Sequence, residues 1–273
     1  MPVEQFRFVQ QPEDPEAVIW RFMRLWKFQD LVATSELYFC RSDRLGDDNE
    51  GLPPAGFMPD LGLNPQDVHD ALKLDHHIEA IAEHRECYFV NCWYLAAEPT
   101  AAMWQKYGKD GVAIASRYSL LKRALDAGKD RAFVGVVRYG SDHLRGRWNL
   151  MRFIFSKREE FAHEQELRAL LYFPDEFKNE GRYVDEKGIP HRRPLTDPPD
   201  TAPKFKRLAV DLRPLITEIE ISPWASDDTF TEAQRLARAN CDAPVRWSPL
   251  NQFKELIGTE QDLRDILRAR SEK

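Results

Sequence analysis

Three charged residues, Glu164, Glu166 and Arg168, lead into an apolar, strand-like run within residues 159–173. Read with the two-residue period of a β-strand, all three side chains leave the same face. Buried charge is costly unless it is paired, so these groups either neutralise one another or line a polar pocket. Both interpretations stay open: an ion-pair network at the edge of a sheet, or a catalytic set of two carboxylates and a guanidinium.

Two further segments combine aromatic and basic side chains that could hold a ligand. Arg21 lies between Trp20 and Phe22, where it could grip a phosphate or ribose by forked hydrogen bonds or simply stack on the rings. Trp104 and Tyr107 recur at helical spacing, which is typical of packing residues but also of pocket walls.

Metal chemistry has weaker candidates. Four acidic residues lie in one turn-rich loop: Asp43, Asp47, Asp48 and Glu50. They could hold a hard divalent cation, but their spacing is not that of an EF-hand, and a solvated turn is favoured. Three histidines fall on a predicted helix without partners at zinc-site spacing: His76, His77 and His84. We therefore predict no metal site.

Composition limits the class of protein. The chain has 273 residues, 42% of them hydrophobic, with a net charge of −6. These values indicate a folded protein and argue against nucleic-acid binding over the whole surface. No apolar run has the length of a membrane span, no secretion signal is recognisable, and the four cysteines lack a disulfide-framework spacing. We expect a cytoplasmic protein that does not bind membranes.

Periodicity and turn residues predict a mixture of short strands and helices. Beyond the strand that contains Glu166, strands are predicted at 18–22, 36–41, 86–95, 111–116, 132–139, 208–212, 216–222 and 244–247. Helices are predicted from the end of the first strand to about 34 and at 65–86, 99–107, 120–127, 149–162, 229–240 and 262–269.

This order of elements predicts an α+β fold in which helices pack on a mixed or split, mostly antiparallel sheet. We expect a single domain over residues 17–250, with a long polar loop at 174–206. A loosely held N-terminal arm (1–16) and a C-terminal helix (251–273) would flank it.

Several motifs, taken as a set, resemble the bacterial domain-of-unknown-function family 2971. They cover most of residues 18–250 and include Trp20-Arg21-Phe22, Leu37-Tyr38-Phe39, Glu50-Gly51, the strand at 87–94, Met103-Trp104 with Tyr107, Gly111-Val112, Glu164 to Arg168 and the strand at 219–223. The activity of that family is not settled.

A more distant resemblance is to ADP-ribosyltransferases, whose split sheet carries a His or Arg on the first strand, an aromatic or Ser motif on a middle strand and a Glu on a later strand. The matching order here is Arg21, then Trp93 and Tyr94, then Glu166 with Glu164. The resemblance implies that NAD is the substrate, that Glu166 polarises its ribose and that Glu164 prepares the acceptor nucleophile.

In that arrangement Arg21 would anchor the cofactor, while Trp93 or Tyr94 would stack on the nicotinamide. The remaining cofactor-binding residues would be Trp104, Tyr107 and Arg168. The resemblance further implies a bacterial toxin or anti-phage defence effector that modifies a protein or nucleic acid.

Two alternatives remain. Clustered carboxylates at Asp43, Glu50, Glu164 and Glu166 could assemble a metal-dependent nuclease. The chain could instead be a non-catalytic module that binds a nucleotide or a partner protein. A glycine-rich Rossmann fingerprint is not found in the sequence.

Overall fold

A computed structural model describes residues 3–47, 49–52, 64, 67, 85–140, 150–173, 182–184, 190–192 and 203–253. The predicted helix at 262–269 and most of that at 65–86 lie outside the described residues. The same holds for Asp48, His76, His77 and His84.

The described residues form short strands interspersed with helices. The strands are β1 Val18–Arg24, β2 Glu36–Arg41, β3 Tyr88–Leu95, β4 Gly111–Arg117, β5 Ala132–Val136, β6 Arg138–Tyr139, β7 Ser156–Lys157, β8 Glu166–Tyr172, β9 Arg182–Val184, β10 Pro190–Arg192, β11 Phe205–Ala209, β12 Glu218–Ile221 and β13 Val245–Trp247. The α-helices are α1 Leu25–Thr34, α2 Ala101–Tyr107, α3 Tyr118–Asp126, α4 Leu150–Ile154, α5 Leu212–Leu215 and α6 Asp227–Asn240. The 3₁₀ helices are Ser42–Arg44, Glu159–Glu164 and Pro249–Phe253.

The chain divides into two compact units, each built from three separate stretches. The first contains residues 1–15, 36–95 and 121–210, and the second contains 16–35, 96–120 and 211–273. The sequence gives no signal for this division, because neither unit is continuous along the chain. The fold class is α+β with mostly antiparallel strand pairing, as predicted; β12–β13 and β6–β7 are parallel.

In the first unit the main strands lie in the order β11-β2-β3-β8-β5, all paired antiparallel. Tyr94 is directly opposite Glu166, and Cys92 is opposite Arg168. Directly opposed residues share a face, so Tyr94 and Cys92 lie on the same side as the two charged groups. Trp93, one residue on, faces the other side of the sheet.

The N-terminal arm is held against the first unit, contrary to the expectation of a loose segment. The amide of Glu4 donates to the carbonyl of Ala132, and the amide of Val136 donates to the carbonyl of Gln10. Val9 is buried in the same apolar cluster as Phe133. The apolar residues of the arm therefore extend the core along β5.

The segment 149–162, predicted to be mostly helical, is interrupted by a short strand between helix α4 and the 3₁₀ helix Glu159–Glu164. Helix α4 ends at Ile154, and Ser156 and Lys157 then form the two-residue strand β7. This strand pairs parallel with β6, where Arg138 is opposite Ser156 and Tyr139 is opposite Lys157. Local periodicity could not show a strand of two residues that depends on a distant partner.

The second unit contains strands in the order β1-β4-β12-β13, together with helices α1, α2, α5 and α6. Gly111 begins β4 so close to β1 that a Cβ atom there would lie 2.0 Å from the carbonyl oxygen of Met23. Only glycine fits at this position. None of the described helices is long and apolar enough to cross a membrane.

Candidate functional site

Arg168 lies at the centre of a buried set of charges in the first unit. Its Nε donates to Glu166 Oε1 at 2.8 Å, and its Nη2 donates to Glu166 Oε2 at 2.9 Å. Nη2 also lies 2.7 Å from Glu50 Oε1, an ion pair that is not aligned as a directed hydrogen bond. Nη1 donates to the carbonyl oxygen of Ile154. All three guanidinium nitrogens therefore contact oxygen.

Lys157 contacts the carboxylates of Glu50 and Glu166, which also pair with Arg168, and the carboxylate of Glu164. Its Nζ donates to Glu164 Oε2 at 2.5 Å and to Glu166 Oε2 at 3.4 Å, and lies 3.6 Å from Glu50 Oε2. We call this set the ion network: Glu50, Lys157, Glu164, Glu166 and Arg168. No side chain in it is more than 10% exposed.

The charges of the ion network stabilise one another. Burial raises the pKa of Glu166, but Arg168 and Lys157 outweigh burial and bring that pKa down to about 2. Burial lowers the pKa of Lys157, and the carboxylates of Glu166 and Glu50 more than reverse this effect. Glu166 and Lys157 are therefore both ionised at neutral pH.

Two turns of the backbone bring distant members into the ion network. Gln165 has a left-handed φ of 36°, so Glu164 ends the preceding 3₁₀ helix and is not part of β8. The predicted common strand face is thus wrong for Glu164, which joins through Lys157. Gly51 has φ 74°, and a Cβ there would meet Ile154 Cδ1 at 2.6 Å, so glycine lets Glu50 approach Arg168.

The two aromatic residues predicted on β3 have different surroundings. Tyr94 is buried on the face of Glu166 and Arg168. Trp93 is buried on the opposite face, where its Nε1 donates to Asn91 Oδ1 at 2.5 Å. Trp93 therefore does not lie beside Glu166.

The other predicted binding residues, Arg21, Trp104 and Tyr107, belong to the second unit. Arg21 is half-buried on β1. Trp104 is fully buried, with its ring edge-to-face against Phe22 at 4.9 Å. Tyr107 is 43% exposed. The packing of Trp104 is that of a core residue.

A second feature of the first unit was not predicted: a pocket of about 300 Å³. It is lined by Arg7, Phe8, Gln10, Val136, Arg138, Arg152, Phe155 and Ser156. We call it the arginine pocket. Because residues alternate along β6 and β7, Arg138 and Ser156 face this pocket while Tyr139 and Lys157 face the ion network.

The arginine pocket is strongly cationic. The guanidinium carbons of Arg7 and Arg152 lie 4.4 Å and 5.3 Å from the ring centre of Phe8. Burial and then the charge of Arg138 lower the pKa of Arg152, as expected when like charges lie close together. None of the described residues that line the pocket is acidic.

The acidic loop has no arrangement suited to a metal in its described part. Asp43 accepts two hydrogen bonds from Arg41, at 2.6 Å and 2.8 Å. Asp47 lies 3.3 Å from Arg158, and Glu50 belongs to the ion network. Among the described residues, no group of three or more His, Cys, Asp or Glu side chains has an arrangement that could hold a metal ion.

The second unit contains a buried carboxylate that the sequence reasoning missed. Glu220 is fully buried on β12, with Arg246 Nη2 3.1 Å from its Oε2. Within the described structure neither of its oxygens accepts a well-aligned hydrogen bond. Burial raises the pKa of Glu220 to about 7, because the nearby Ser248 hydroxyl compensates only partly and the carboxylate of Glu98 adds to the effect of burial. The alternation Glu218-Ile219-Glu220-Ile221 is the sequence signal that could have indicated it.

The chain matches no protein-family model, no curated protein and no solved structure. The resemblances to family 2971 and to the ADP-ribosyltransferases therefore stay predictions.

Proposed function

We propose that this protein binds a phosphate-bearing ligand of the nucleotide class in the arginine pocket. The observation that carries the proposal is the convergence of Arg7, Arg138 and Arg152 on one concave site without an acidic residue among its described lining. Guanidinium groups form charge-assisted, forked hydrogen bonds with phosphate oxygens. A bound anion would also relieve the repulsion between Arg138 and Arg152.

The size and lining of the pocket favour a nucleotide over inorganic phosphate alone. Its volume of about 300 Å³ is at the lower end of the range for small-molecule sites. Apolar side chains line it beside the arginines: Phe8, Val136 and Phe155. A ligand with charged and apolar parts would contact both. NAD, the substrate implied by the resemblance to ADP-ribosyltransferases, belongs to this class.

The geometry supports binding more directly than glycosyl transfer. Both carboxylate oxygens of Glu166 are held by Arg168, and the side chain is only 7% exposed. Cleavage of NAD with Glu166 beside the ribose is a second, separate proposal. It is favoured by the low pKa of Glu166, about 2, which keeps this carboxylate ionised at neutral pH. Release of nicotinamide from NAD that is lost in Glu166→Gln would support it; absence of release by the wild type would remove it.

Calorimetric titration tests the binding proposal, with ADP, NAD and pyrophosphate as ligands and adenosine as the uncharged comparison. We expect the phosphate-bearing ligands to bind and adenosine to bind much more weakly. Arg138→Met and Arg152→Met should each weaken binding by about 10-fold or more, the value of one charge-assisted hydrogen bond.

The matched control is Arg207→Met. Arg207 is on β11, outside the lining of the pocket, and its pair with Glu36 at 3.7 Å is partly exposed. This variant should bind the ligands as the wild type does. If the wild type binds none of the phosphate-bearing ligands, or if all three variants behave alike, the proposal is wrong.

A further inference from the structure

The arginine pocket and the ion network share the backbone that separates them. Arg168 Nη1 donates to the carbonyl of Ile154, the last residue of the helix that carries Arg152. The amide of Arg138 donates to the carbonyl of Phe155 at 2.9 Å. Residues 152–156, which supply three lining residues of the pocket, are thus tied to both β8 and β6.

The pairing of β6 with β7 is a second backbone link between the ion network and the arginine pocket. The amide of Gly140 donates to the carbonyl of Lys157 at 3.0 Å, and the Tyr139 hydroxyl accepts the amide proton of Glu166 at 2.8 Å. On one side of this two-stranded sheet Lys157 contacts three carboxylates; on the other, Arg138 and Ser156 line the pocket. A change in the ion network therefore acts directly on the strands that present the pocket residues.

From this geometry we infer that Lys157 is a positioning residue for the arginine pocket. It fixes β7, and through β7 the orientation of Arg138 and Ser156 towards a bound phosphate group. The inference rests on the proposed function and gives the buried ion network a role in it. Residues in a second layer behind a bound ion commonly act in this way, by restricting the residues that contact it.

The test compares pyrophosphate affinity in Lys157→Met and Lys157→Arg at a temperature where each variant is folded. Lys157→Met keeps the apolar stem and removes the ammonium group; we expect it to weaken pyrophosphate binding by about 10-fold, the lower end of second-layer effects. Lys157→Arg retains a positive charge beside the carboxylates and should recover most of the affinity.

A stability-matched control separates positioning from general loosening. Val134 on β5 is fully buried and paired with Ala169, so it faces away from Arg168. Val134→Ala should lower the thermal midpoint without weakening pyrophosphate binding. If Lys157→Met does not fold, Glu164→Gln removes the charge that accepts the shortest Lys157 hydrogen bond and is measured in its place.

The outcomes distinguish the two claims. A wild type that binds no pyrophosphate overturns the proposed function, and the inference with it. If the wild type binds but Lys157→Met or its substitute binds equally well, only the inference is overturned. The inference is also overturned if Val134→Ala loses as much affinity, because affinity would then follow overall stability.

Discussion

Arg168 is the residue whose removal should disturb the first unit most. It is 1% exposed, and its guanidinium contacts Glu50, Glu166 and the Ile154 carbonyl. Replacing it with methionine leaves two carboxylates buried without their main partner. We expect Arg168→Met to reduce the free energy of unfolding by about 3–5 kcal/mol, the usual effect of breaking a buried ion pair. Urea unfolding followed by circular dichroism measures this change.

Arg207→Met gives the comparison for an exposed pair. Its partner Glu36 is 3.7 Å away, and both side chains are partly exposed, so the loss of unfolding free energy should be about 0–1 kcal/mol.

The double variant Arg168→Met with Glu166→Met should be more stable than Arg168→Met alone, because it leaves one fewer unpaired charge in the core. Equal stability of Arg168→Met and the wild type would show that the ion network does not stabilise the fold.

Among the elements, helix α6 begins two residues before the start that its capping pattern predicts. Thr229 and Glu232 match a capping box, but the helix starts at Asp227 and its N-cap is Ser226, whose side chain accepts the Thr229 amide proton. Glu232 instead accepts two hydrogen bonds from Arg235. Ser226→Ala should therefore cost about 1 kcal/mol in unfolding free energy.

Thr231→Ala, an exposed substitution inside the same helix, should stay within about 0.5 kcal/mol of the wild type in thermal or urea unfolding. A larger effect for Thr231→Ala than for Ser226→Ala would contradict the observed cap.

Elements with a strong local pattern were predicted well, and those that depend on distant pairing were not. Strands β2 and β3 are rich in aromatic residues and lie where the sequence predicts them. The position of Glu166 and Arg168 on one strand face also followed from the two-residue period. Strand β7 did not, because its two residues depend on pairing with β6.

The partners of the candidate site were harder to predict for the same reason. Lys157 falls in a segment predicted to be mostly helical and Arg7 in a predicted loose arm, so neither pattern indicates a role in the candidate site. The sequence groups Glu50 with Glu164 and Glu166 only as possible metal-binding carboxylates, whereas its carboxylate pairs with Arg168, more than a hundred residues later. Long-range contacts bring these residues together, and a single sequence does not show such contacts.

At the scale of the whole molecule, two buried carboxylates should give stability an uneven dependence on pH. The pKa of Glu166 is lowered to about 2, so its contribution is full above pH 4.5 and is lost as the pH falls towards 2. The pKa of Glu220 is raised from 4.5 to about 7. Between pH 4.5 and 7, Glu220 therefore binds a proton more often in the folded state than in the unfolded state, and the free energy of unfolding falls as the pH rises.

The Glu220 effect amounts to about 3 kcal/mol between pH 4.5 and 7, since one pKa unit corresponds to about 1.4 kcal/mol. Glu220→Gln keeps the shape and removes the titration, so its unfolding free energy should fall less over this window, and at pH 8 it should exceed that of the wild type. Urea unfolding of both proteins at pH 5, 6, 7 and 8 isolates the effect of Glu220 from that of the histidines, which both proteins contain.

Arg246 lies between Glu218 and Glu220 and could pair fully with the ionised carboxylate of Glu220. Parallel pH curves for the two proteins would mean that this pairing offsets the cost of burial, and that Glu220 is ionised throughout.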